Sequence, residues 1–121
     1  HIDGAEGKLE RDRIIDIIKA QPKQTQATLY STILLTTQNN SISTGNIYDN
    51  YKDLCEKLRV RPLTQRRVSD IIGELDMLGI ISAKVTSNGR YGRTREISIH
   101  LSKDILKKIT NYIEKEWGFS A

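Results

Sequence analysis

Two short segments hold the residues with the clearest chemistry. RVRPLTQRR (59–67) carries Arg59, Arg61, Arg66 and Arg67 and no acid; KVTSNGRYGRTR (84–95) carries Lys84, Arg90, Arg93 and Arg95, again without an acid. These eight cations sit in a chain of 19 basic and 15 acidic residues with a net charge of +4. The 11 basic residues left over are outnumbered by the 15 acids, so the rest of the chain carries −4. If the fold brings the two segments together, they form a basic face on a mildly acidic body, and the natural partner of such a face is a polyanion.

Catalytic and metal chemistry find little support. No G-x-x-x-x-G-K-[ST] phosphate loop occurs, and the two histidines, His1 and His100, fall in no metal or triad pattern. Cys55 is the single cysteine, which excludes an internal disulfide and fits a reducing compartment. It lies in an apolar helical stripe, where a thiol serves as core. Glu74 and Asp76 are two apart on a predicted helix and do not share a face. The expectation is a non-enzymatic chain with no cofactor and no metal, and of cytoplasmic location. Apolar runs are too short for a membrane span.

The 121 residues suit one domain with one core. The start at His1 without a methionine suggests a fragment or a tag, so residues 1–7 are set aside as disordered or tag-derived and 8–121 are taken as the domain. Periodicity predicts helices over about 8–20, 25–38, 45–58 and 65–78, strands over 80–86 and 95–101, and a C-terminal helix over 102–117. The second helix is apolar nearly all round, as a central helix would be. Ile42 suits a very short strand. Ser43 or Thr44 caps the third helix and Thr64 the fourth, while Gly79 ends the fourth in a left-handed turn. Ile81, Ala83 and Val85 alternate in one strand; Ile97, Ile99 and Leu101 alternate in the other. The fold class is mainly α with a β-hairpin wing, a winged helix-turn-helix.

In that fold the first turn of the second helix of the motif enters the DNA major groove. Here that turn offers Gln65 and Arg66 for base edges, and Arg67 for a base or a phosphate. Arg59 and Arg61 are placed as phosphate clamps, with Lys84 and Arg95 as further phosphate contacts. The wing lies beside the minor groove, whose focused negative potential favours arginine. Gly89 and Gly92 let its backbone turn and come close, Arg90 and Arg93 reach inward, and Tyr91 packs on a sugar or donates to a phosphate.

STGNIYDNYKDLC (43–55), RPLTQRRVSDIIGELDMLGI (61–80) and SNGRYGRTREISI (87–99), in that order, closely resemble the C-terminal winged-helix domain of archaeal replication initiators. These are AAA+ proteins akin to the eukaryotic origin recognition complex and the cell-division-cycle helicase loader. The resemblance implies binding of double-stranded DNA at origin repeats. It places Thr64, Gln65, Arg66, Arg67 and Ser69 on the helix side and Gly89, Arg90, Tyr91, Gly92, Arg93 and Thr94 on the wing side. It further implies an upstream ATPase domain that would hold ATP and magnesium outside these residues. Other initiator copies or the replicative helicase are expected as further partners, and the chain alone is expected to be monomeric. Gly73 departs from the pattern, at a helix-propensity cost of about 1 kcal/mol relative to alanine. Two rival uses of the fold are a protein-contact module and a transcription regulator that dimerises through helix 102–117, for which Trp117 and Phe119 near the terminus could serve an interface.

Overall fold

The computed structural model describes residues 4–39, 42–87 and 93–118. Its elements are α1 (Gly4–Lys19), α2 (Lys23–Gln38), α3 (Thr44–Leu58), α4 (Gln65–Met77), β1 (Ser82–Ser87), β2 (Arg93–Ser98) and α5 (Lys103–Trp117). The predicted order holds throughout. α1 begins at Gly4 and so reaches into the stretch set aside above. None of the described helices is long and apolar enough to cross a membrane.

α2 is the central helix. Thr25 to Ile33 are buried without interruption, including three threonines, one serine and one glutamine. Most of these polar groups find partners close by, as burial requires. The Thr28 and Thr32 hydroxyls donate to the carbonyls four residues earlier, Gln24 O at 2.9 Å and Thr28 O at 2.8 Å. Gln26 Nε2 reaches back to Ile18 O at 3.0 Å, tying α2 to the end of α1. Tyr30 donates to Glu114 Oε2 of α5 at 2.7 Å. α5 turns Ile105, Ile109 and Ile113 inward, and Tyr112 packs half-buried against the same core. Lys19 stands over the Tyr112 ring and Lys23 over the Trp117 ring, 5.5 and 5.7 Å from the ring centres.

The strand boundaries differ from those read in the sequence. Ile80 and Ile81 are both buried, and both donate their N–H to Leu75 O at 3.1 and 3.4 Å. They therefore belong to the turn that follows Gly79 (φ 79°), and β1 starts only at Ser82. Alternation cannot separate a buried turn from a strand end when two isoleucines stand side by side. β2 likewise stops at Ser98. The strands pair antiparallel from Ser82↔Ser98 to Ser87↔Arg93, and Ile42 bridges to Ile97 through both backbone hydrogen bonds, as the short strand anticipated.

Ser31, at 0% exposure, has a hydroxyl with no partner among the described residues. A buried unpaired hydroxyl costs roughly 1–3 kcal/mol, and alanine is the better helix former. Ser31→Ala should raise unfolding stability by about 1 kcal/mol, read as a higher denaturant midpoint at unchanged slope.

Candidate nucleic-acid interface

The basic segment 59–67 is the link between α3 and α4, and its shape is set from α3. A capping box opens α3: Asn46 N–H donates to Ser43 Oγ at 3.1 Å and Ser43 N–H to Asn46 Oδ1 at 3.0 Å. The helix ends in a Schellman turn, with Arg59 N–H on Glu56 O and Val60 N–H on Cys55 O. The left-handed residue in that turn is Arg59, at φ 57°, where glycine is usual.

Two tyrosines of α3 then hold the link. Tyr51, fully buried, accepts Leu63 N–H at 2.8 Å and donates to Gln24 Oε1 of α2. Tyr48 donates to Leu63 O at 3.0 Å. The peptide groups on both sides of Leu63 are thus fixed just before α4. Thr64 caps α4 by accepting Arg67 N–H at 3.2 Å. Val68, Ile71, Ile72 and Leu75 anchor the inner face of the helix.

This anchoring turns Thr64, Gln65, Arg66 and Arg67 to solvent, with Ser69 half-buried. Arg59 and Arg61 are exposed beside them. An open notch of about 420 Å³ runs between the start of α3 (Ser43, Thr44, Gly45) and α4 (Gln65, Arg66, Ser69, Asp70), and is closed on one side by Arg95 of β2. The structure therefore brings Gln65, Arg66, Ser69 and Arg95 together. Lys84 is exposed but opposes Glu96, whereas Arg95 opposes Val85. Neighbouring residues of a strand point to opposite faces, so Lys84 and Arg95 leave the hairpin on different sides. Arg93 and Thr94 open β2 opposite Ser87 and Thr86. Gly89, Arg90, Tyr91 and Gly92 lie outside the described residues.

The sequence reading missed the tyrosine clamp, because Tyr48 and Tyr51 fit the apolar stripe of α3. The available signal was that a buried tyrosine also needs a partner for its hydroxyl. Cys55 is buried as expected, and burial pushes its thiol pKa up, which leaves it protonated and unreactive.

Helices α1 to α4, the hairpin, the Ile42 bridge and α5 define a winged helix-turn-helix. The chain belongs to the family described as CDC6, C terminal winged helix domain, whose model matches residues 16–109, and it is thus a winged-helix domain of the Orc1/Cdc6 replication initiators. The ORC1-type DNA replication protein of Pyrococcus horikoshii is 46% identical over 114 residues, covering 93% of this chain and 27% of that protein. ORC1-type DNA replication protein 1 of Sulfolobus acidocaldarius is 49% identical over 107 residues, 88% of this chain and 27% of that protein. Among solved structures, the Aeropyrum pernix ORC1 protein in complex with DNA matches with a TM-score of 0.82 at 38% identity, over 93% of this chain and 28% of that one. Drosophila ORC bound to DNA matches over 78% of this chain and 24% of that one, with a TM-score of 0.63 at 13% identity, a likeness of fold alone. The chain spans 27% of the length of the two curated relatives.

Burial, opposed in part by the Leu63 N–H, pushes the Tyr51 pKa from 10.0 up to about 12. The fold thus favours the protonated phenol. Its stabilisation is whole below about pH 10 and is lost as the pH rises towards 12. Tyr51→Phe should cost roughly 1–3 kcal/mol at neutral pH by stranding Leu63 N–H. Denaturant titrations repeated across alkaline pH should also show a flatter loss of stability for the variant than for the parent.

Proposed function

We propose that this domain binds double-stranded DNA at replication-origin repeats, with α4 in the major groove and the hairpin tip along the minor groove. The observation that carries this reading is the first turn of α4. Gln65, Arg66 and Arg67 stand exposed there, on a helix fixed from behind by a tyrosine-clamped link. Arg and Gln are the side chains that make paired hydrogen bonds to guanine and adenine edges, and an α-helix fits the major groove. Arg59 and Arg61 flank the helix as phosphate contacts. The relatives support the same reading, since they are named as DNA replication proteins and the similar Aeropyrum pernix structure is a complex with DNA. In this reading the chain itself catalyses nothing and holds no cofactor, and ATP and magnesium belong to other parts of a longer protein.

Fluorescence anisotropy on an origin-derived duplex and a shuffled duplex, each across a salt series, tests the proposal. A preference for the origin duplex that survives added salt is expected; absence of binding to either duplex at low salt would sink the reading. Arg66→Ala should lower the discrimination between the duplexes by roughly 1–3 kcal/mol. Arg90→Ala and Arg93→Ala should weaken binding to both duplexes and reduce the salt slope.

Arg59 allows stability and binding to be separated. A non-glycine residue in the left-handed region is strained by roughly 1–2 kcal/mol, part of which glycine gives back as lost chain entropy. Arg59→Gly should therefore raise thermal stability by about 0.5–1 kcal/mol while weakening DNA binding in the same anisotropy assay.

A further inference from the structure

Arg95 differs from Arg59, Arg61, Arg66, Arg67 and Lys84, which are exposed. It is half-buried, and its Nη1 donates to Ser69 O of α4 at 3.0 Å. A Cβ placed on Gly73 would meet Arg95 Nη2 at 3.8 Å, with no other neighbour within 4 Å. The guanidinium thus spans one helical turn, from the Ser69 carbonyl to the bare backbone at Gly73. Ser69 O is already the intrahelical acceptor for Gly73 N–H, and its second lone pair takes the arginine. Residues 69 and 73 share one face of α4, so Arg95 lies along that face over one helical turn.

Ala83 and Ile99 also pack against the core where the hairpin leaves it. At its base, Ile97 is buried and bridged to Ile42, and Ala83 N–H donates to Asp76 Oδ1 at 3.3 Å. One pair further out, Val85 opposes Arg95 and is 57% exposed, so apolar burial has already ended. Asp70 lines the same notch, so an acidic residue shares it with Arg95.

We infer that Arg95 is a positioning residue: by lying across Gly73 and binding Ser69 O, it locks the wing hairpin to the recognition helix and sets the angle at which the two meet DNA, instead of binding a phosphate itself. Gly73 is the other half of the lock. What the lock needs at this position is a small residue: a Cβ would only make ordinary contact with the guanidinium, but a longer side chain would displace it. The part of this inference that concerns DNA rests on the function proposed above; the lock itself is a property of the free protein.

The test uses Arg95→Ala, Arg95→Gln, Gly73→Ala, Gly73→Leu and the Arg95→Ala/Gly73→Leu pair, each checked for folding by circular dichroism. In amide NMR spectra without DNA, Arg95→Ala should shift the signals of Ser69 to Gly73 along with those of β1. On duplex DNA, Arg95→Ala and Gly73→Leu should each weaken binding about tenfold with an unchanged salt slope. The double variant should be no weaker than the worse single one. Gly73→Ala should bind as the parent does. Arg95→Gln, which keeps an N–H for Ser69 O but carries no charge, should recover most of the affinity. A salt slope smaller by about 0.9 in Arg95→Gln would mean a phosphate contact and overturn the inference. Unmoved α4 amides in Arg95→Ala would overturn it as well. Failure of the parent to bind any duplex would defeat the DNA reading alone, and the amide shifts would still decide the lock.

Discussion

The Tyr51 hydroxyl is the junction on which the basic face depends. It donates to Gln24 of α2 and accepts from Leu63, so one buried oxygen joins the central helix, α3 and the link that launches α4. Tyr48 holds the other side of Leu63. Without these bonds the segment 60–64 would be an irregular stretch steered only by Pro62 and the Thr64 cap. With them, the direction in which α4 leaves the core is settled by packing that lies entirely behind the exposed surface. Arg59, Arg61, Arg66 and Arg67 can then stand exposed to solvent, because the link is held by other side chains.

The same division of labour explains an oddity of the link. α3 stops in a turn whose left-handed position holds Arg59, a residue that gains nothing locally from being there. A side chain kept at a strained position points to a use outside the fold, and this one stands beside Arg61, Arg66 and Arg67 in the acid-free segment. Gly73 is the converse case, a residue that weakens its helix but leaves space on the surface for a guanidinium.

Much of this was legible in the sequence, for identifiable reasons. The helices announced themselves because isoleucines and leucines recur every three or four residues between strong caps. Ser43, Thr64 and Gly79 all act as their residue types suggest. Ile42 was readable as a strand because it is an isolated β-branched residue in a polar turn. Illegible were interactions made by atoms that periodicity ignores: the hydroxyls of Tyr48 and Tyr51, the amide of Gln26, and the reach of Arg95 to a backbone carbonyl 26 residues away. Arg95 reads as a phosphate contact in the sequence, and charge alone does not reveal that one of its N–H groups meets the Ser69 carbonyl. Lys84 looked equivalent to it, and only the strand register shows that the two leave opposite faces.

The hairpin is also a cantilever. Its last firmly buried residue is Ile97, and the pairing continues to Arg93, four residues or roughly 14 Å further along the strand. Arg95 holds it about halfway along that span. A support at mid-length resists tilting far better than a root alone, and any play at the support is roughly doubled at the free end. A shift of half an ångström beneath Arg95 would therefore move the Ser87–Arg93 end by about 1 Å, comparable to the tolerance of a hydrogen bond. Side chains near the root of an arm can thus govern where its end lies.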